Sequence, residues 1–157
     1  MVPDRTQKGV VLVSERLALL DKTEYFAVLA TDDDGQPYTS LINFALTPDF
    51  KAVIFATPRA TRKYRNMKKT KSVALLIDSR SKETKNLMDT EAVTVIGNAR
   101  PVRRGKAWES LADLFIKKHP DLAAFIQSPS TALMVIDAIQ CIHVSQFQTI
   151  SVWDCTP

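Results

Sequence analysis

Phe55-Ala56-Thr57-Pro58-Arg59-Ala60-Thr61-Arg62-Lys63 carries an apolar run into a threonine, a proline-broken turn, and a second threonine followed at once by two cations. Residues 52–56 read as a strand. Pro58 biases Thr57 away from helix, so 57–60 read as a loop. Thr61 is a good N-cap, and a helix from there to about residue 69 puts Tyr64 and Met67 on one face. Such a helix opens with Arg62 and Lys63, where its dipole disfavours cations by about 0.3–1 kcal/mol each. An anion bound at the turn reverses that sign. Open helix amides, two threonine hydroxyls, a guanidinium fork and an ammonium can all donate toward it, which is the chemistry a phosphate needs. The competing reading of the same residues is a solvated basic helix.

Charge supports a localised anionic partner. Between residues 51 and 77 there is no Asp or Glu, but there are eight basic side chains: Lys51, Arg59, Arg62, Lys63, Arg65, Lys68, Lys69 and Lys71. The chain has 21 basic and 17 acidic residues, so removing these eight leaves 13 against 17 and turns a net +4 into a net −4. The positive field belongs to one segment. The sequence argues against nucleic acid as that partner, because only Phe55 and Tyr64 are interleaved with the cations and no nucleic-acid motif accompanies them.

Outward from this segment, Asp33-Asp34-Gly35 is hairpin chemistry between a strand at 25–31 and a returning strand at 37–46. Tyr38, Ile42, Phe44 and Leu46 fall on one side of the latter, and Thr39, Leu41, Asn43 and Ala45 on the other. Ser14 reads as the N-cap of a short helix. Strands are expected at 72–77 and 92–101, with a polar loop over 78–90. The strongest helix spans 105–118, with Trp108, Leu111, Ala112 and Phe115 on one stripe, and a shorter one covers 120–126. Residues 131–144 are strand-rich with a reversal expected at Asp137-Ala138, and 149–153 form a last extended segment. Sequential hairpins in this number argue for an antiparallel sheet that closes on itself, an α+β, mainly β chain.

Several classes are excluded. With 157 residues, 45% hydrophobic and a net charge of only +4, the chain is a folded domain rather than a disordered segment. No apolar run approaches the ~20 residues of a membrane helix, and nothing directs export, so the expectation is a cytoplasmic protein over one domain, 1–157, with its core at about 14–153. Cys141 and Cys155 form no disulfide framework or zinc spacing; two thiols are expected, although one bridge is compatible with the sequence. Four glycines leave no room for a dinucleotide fingerprint.

The motifs, in their order and spacing, resemble the pyridoxamine 5′-phosphate oxidase-like, FMN-binding split β-barrel family over roughly residues 14–145. The match rests on Phe55-Ala56-Thr57, on Thr61-Arg62-Lys63, and on the apolar strand Ser72-Val73-Ala74-Leu75-Leu76-Ile77. Upstream it includes Pro37-Tyr38-Thr39-Ser40-Leu41-Ile42-Asn43-Phe44, and downstream Val93-Thr94-Val95-Ile96-Gly97-Asn98-Ala99. The resemblance implies a six- to seven-stranded antiparallel split β-barrel with peripheral helices, binding FMN between two subunits of a homodimer. Carried over, Arg62 and Lys63 bind the flavin phosphate with Thr57 and Thr61 assisting and Ala56 alongside. Ser40, Leu41, Ile42 and Asn43 present backbone groups to the flavin ring, and Trp153 covers it from the second subunit. Ala56 and Ala92 depart from the oxidase branch, and its Arg/His-rich C-terminal segment is absent, which argues against vitamin B6 oxidation. The implied activity is a flavin-dependent oxidoreductase acting on a small molecule. Alternatives are a flavin carrier or electron-transfer module without turnover, and a reductase using a deazaflavin. A haem-binding relative would require a histidine ligand, for which His119 and His143 are the candidates.

Overall fold

The computed structural model describes residues 7–82, 86–146 and 148–156. In chain order the strands are β1 (Gln7–Lys8), β2 (Phe26–Asp33), β3 (Gln36–Asn43), β4 (Ala45–Leu46), β5 (Ala52–Pro58), β6 (Ser72–Asp78), β7 (Glu91–Pro101), β8 (Thr131–Ser145) and β9 (Thr149–Asp154). The helices are α1 (Val13–Thr23), α2 (Arg62–Lys69), α3 (Lys106–Lys118) and α4 (Ala123–Gln127). The strands make one antiparallel sheet in the order β1-β9-β8-β7-β6-β2-β3, with β5 added to β8 and β4 to β5.

Local chemistry sets the register. Asp34 and Gly35 take φ of 50° and 91°, the paired positive values of a two-residue hairpin turn, and Asp32 Oδ1 accepts the Gly35 amide at 2.8 Å. The turn locks Asp33 opposite Gln36 and Leu29 opposite Ser40. Side chains then sort by parity across the sheet. One inward row runs Ser40, Leu29, Leu75, Val95, Cys141, Trp153 through successive strands. Apart from Ser40 these are core residues, joined from the helices by Val13, Leu17, Leu20 and Met67. A second core lies between the β5–β8 pair and α3/α4, built from Ile54, Leu133, Trp108, Ala112, Phe115 and Ile126. The sheet therefore curls around one core and is backed by helices at its β5 end, leaving the gap of a split barrel between β3 and β5.

Four local expectations are corrected. β5 continues through Thr57 and Pro58, which pair with Ala132 and Thr131; proline is tolerated there because the next amide, Arg59 N–H, is the one that bonds β8, at Ser130 O, so the Pro58 nitrogen faces the side of β5 that β4 leaves open. The strand at 37–46 breaks at the buried Phe44, since β3 pairs with β2 while β4 pairs with β5. No reversal occurs at Asp137-Ala138. β8 is continuous and changes one neighbour there, from β5 to β9, while β7 follows it throughout with a bulge at Ile96/Gly97. Helix α1 starts two residues early, at Val13, and Ser14 is buried inside it rather than capping it. The 78–90 loop contains a short 3₁₀ turn at Leu87–Asp89, and its residues 83–85 lie outside the described ones.

Candidate functional site

Helix α2 begins where the sequence places it. Thr61 has extended backbone (φ −79°, ψ 154°) and its Oγ1 accepts the Tyr64 amide at 3.3 Å. That hydroxyl also donates to Pro58 O at 3.0 Å and lies 2.8 Å from Thr57 Oγ1. Thr57 is buried, so it braces Thr61 from behind rather than facing outward. The turn is thus a rigid threonine-threonine-proline knot. By helix geometry the Arg62 and Lys63 amides have no intrahelical acceptor and remain open. No acidic residue occupies the first turn.

The two cations at this terminus are held differently. Arg62 forks onto one oxygen of Asp33, Nε at 3.1 Å and Nη2 at 2.8 Å, and its guanidinium lies 4.4 Å above the Tyr38 ring. With the Arg62 side chain 45% exposed, the ion pair is worth only about 0–1 kcal/mol, yet it fixes the orientation of the fork. Lys63 makes no hydrogen bond or ion pair with any described residue. Partial burial pulls its ammonium below the ordinary value, because nothing nearby repays the lost hydration. A partly buried cation with no partner among the described residues, on a helix start with open amides, has the chemistry an anion would need.

β3 supplies the second part. It ends the sheet, so alternate N–H and C=O groups along 36–43 turn away from β2 without a ladder partner. Tyr38 carries Arg62, which shows that the Tyr38–Ser40–Ile42 face of β3 looks toward α2. On that face the Ser40 hydroxyl is buried with no partner among the described residues, while Ile42 belongs to the core. Leu41 points the other way and is 63% exposed. Asn43 uses its amide Nδ2 to hold Tyr25 O at 3.2 Å, which leaves its oxygen available. From Tyr38 to Asn43 the open edge runs about 17 Å. At the Asn43 end a hollow of about 470 Å³ is walled by Tyr25, Phe26, Lys118 and His119.

Two sequence candidates are not brought to this place. Ala56 packs toward the α3 core, on the opposite face of β5 from Thr57. Trp153 is 3% exposed inside the barrel core, opposite Cys141, so its ring cannot be offered to a second subunit. Trp108 is core, as its helical stripe indicates. Both histidines are also occupied by structure. His119 is buried at the end of α3, with Nε2 donating to Phe44 O at 2.7 Å; His143 is 1% exposed within the core.

Sequence reading missed Asp33, Tyr38 and Lys118. Asp33 was legible only as a turn residue and Tyr38 only as a strand residue. What joins them to Arg62 is the packing of α2 on β2 through Asn66, whose Nδ2 donates to Thr31 Oγ1 at 3.0 Å in the interior. The signal was a polar residue on the apolar face of α2. Lys118 sits over the Phe44 ring, paired with Asp21 at 3.0 Å, and burial pulls its ammonium below the ordinary value.

Comparison with known proteins bears on the family and the fold. The family model described as pyridoxamine 5′-phosphate oxidase matches residues 14–145. No match was found among curated proteins. Among solved structures, a haem-binding protein from Mycobacterium smegmatis superposes with a TM-score of 0.81 at 14% identity, over 93% of this chain and 59% of that one. This chain therefore spans about three fifths of that relative. An FAD-binding protein from Mesorhizobium loti gives a TM-score of 0.67 at 12% identity, over 93% and 96%. General Stress Protein 26 from Bacillus anthracis gives 0.66 at 18%, over 85% and 95%. At these identities the likeness is one of fold, and the relatives include both flavin and haem binders. With the family model covering most of its length and a half-barrel gap flanked by β3 and α2, this chain belongs to the pyridoxamine 5′-phosphate oxidase family and has its split-barrel fold.

Proposed function

We propose that the chain is an FMN-binding flavoprotein, an oxidoreductase acting on a small molecule, with its site completed at the boundary of a homodimer. The observation that carries this reading is Lys63: a partly buried cation without a partner among the described residues, at a helix start whose first amides are open. The residues present fit a flavin mononucleotide. Lys63, the α2 amides and the remaining Arg62 donors would hold the phosphate, with Thr61 and Thr57 shaping the turn. The open edge of β3 from Ser40 to Asn43 would address the ring, and Lys118, held by Asp21, lines the hollow at its far end. When bound, the flavin supplies the redox chemistry, taking up or giving a hydride at N5.

The dimer is supported by the outer face of the sheet. Leu41, Val28, Leu76, Thr94, Ile142 and Val152 stand in register across six strands, and none of the six is charged. Phe26 and Ile150 extend this band at 56% and 58% exposure, and contiguous exposed apolar surface of this kind marks an interaction face. Haem held by a histidine fits poorly, since His119 Nε2 is committed to Phe44 O and His143 is enclosed.

The test is mass spectrometry, with absorption spectra, of the small molecule released on denaturing freshly purified protein. FMN is expected. A deazaflavin phosphate would keep the phosphate seat and change the chemistry, and haem would overturn the reading.

A further inference from the structure

Two thiols that play no part in the flavin reading lie against each other at the end of the chain. Cys141 on β8 and Cys155 just beyond β9 are both buried, with their sulfurs 3.8 Å apart. In the ladder Cys141 faces Trp153, so Cys155 is its diagonal neighbour. Diagonal positions are ordinarily about 7–8 Å apart between Cα atoms, long for a bridge. Here the sulfurs are nonetheless in contact, and a bulge lies beside them. Ile96 pairs with Gln140 and Gly97 with Ala138, which leaves Ile139 as an extra residue on β8. Its carbonyl, which lacks a ladder partner on β7, accepts the Cys155 amide at 2.9 Å. A bulge bends its strand and sharpens the twist, and this one lies two residues from Cys141.

We propose that Cys141 and Cys155 are an oxidisable pair that closes to an intramolecular disulfide when the folded chain meets a peroxide. Cys155 attacks, because it retains 6% exposure while Cys141 has none. The hydrogen bond with Cys155, and then burial, push the Cys141 thiol far up, so it stays protonated and acts second. The Cys155 thiol takes one peroxide oxygen and becomes a sulfenic acid, its proton leaving with the other oxygen as an alcohol, or as water from hydrogen peroxide. The Cys141 sulfur then displaces the sulfenic hydroxyl, which departs as water with the Cys141 proton. Two thiols lose two electrons and two protons, and one peroxide is reduced. The new bond ties the end of β9 to β8 across the bulge.

The full chain is exposed to hydrogen peroxide while folded, then denatured, alkylated with N-ethylmaleimide and weighed intact. The expected product has lost two hydrogens per chain, takes no alkylating agent, runs as a single chain without reductant, and regains both thiols with dithiothreitol. Under the same treatment Cys141→Ser gives a sulfenic acid at Cys155 that dimedone traps, whereas Cys155→Ser leaves Cys141 unmodified. The proposal is overturned if both wild-type cysteines still alkylate, if Cys155 gains oxygen while Cys141 still alkylates, or if the bond joins two chains. The wild-type result decides by itself should either variant fail to fold, and it is independent of which cofactor the chain carries.

Discussion

Arg62 and Lys63 open the same helix against its dipole, yet only one of them is answered within the chain. Asp33 and the Tyr38 ring neutralise and orient Arg62. Lys63 keeps its charge unpaid in a partly dry place, a cost the fold bears unless an anion arrives. Burial without a partner recurs at His143, whose two ring nitrogens find no hydrogen bond among the described residues and whose nearest acid, Glu91, is 3.7 Å away and already forked by Arg16. Burial lowers the His143 pKa below the ordinary 6.5, and His119 is lowered for the same first reason. The unfolded chain therefore binds protons that the native imidazoles refuse. Stability is full above 6.5 and falls as pH drops through and below that value. Urea midpoints measured from about pH 8 to about pH 5 will show this fall, and His143→Leu will flatten it by up to about 1.4 kcal/mol per pH unit. An unchanged slope in the variant would remove His143 from the account. At this scale the cap was legible in the sequence because capping is local. The partner of Arg62 was not, because Asp33 lies 29 residues away and only tertiary packing introduces them.

Among the elements, β8 departs most from its sequence pattern. Its apolar run switches from burial on both sides at residues 131–136 to alternation after Asp137, the place where the sequence predicts a reversal. One long strand produces the same pattern when its first half is backed by α3 and α4 while the outward side of its second half is left uncovered. The hinge between the halves is the bulge, and Gly97 permits it: a Cβ there would lie 2.3 Å from Asp137 O and 2.9 Å from Ile136 Cγ2. Gly97→Ala is expected to cost about 2–3 kcal/mol by overpacking backbone against backbone, read as a lower denaturant midpoint with unchanged slope. A near-neutral variant would mean that the two strands are free to separate. By contrast, the hairpin at Asp34-Gly35 and helices α2 and α3 could be read directly, since each is set by its own turn residues, cap or apolar stripe.

For the whole molecule, the open questions are what covers the outer apolar band and what sits in the gap between β3 and β5. A second copy on the band predicts that Leu41→Lys, at the centre of an uncharged row, shifts the chain from dimer toward monomer in sedimentation equilibrium while its circular dichroism is retained. A variant as dimeric as wild type would place the contact elsewhere. For the gap, titration calorimetry with FMN and with riboflavin, which differ only in the phosphate, is the most direct measurement. Wild type is expected to prefer FMN. Lys63→Ala should lose about ten- to a hundred-fold on FMN, the equivalent of one charge-assisted bond of about 1.5–3 kcal/mol, and Arg62→Ala should lose at least as much, with riboflavin binding unchanged in both. Variants that keep the wild-type ratio of FMN to riboflavin affinity would contradict the claim that the start of α2 holds a flavin phosphate.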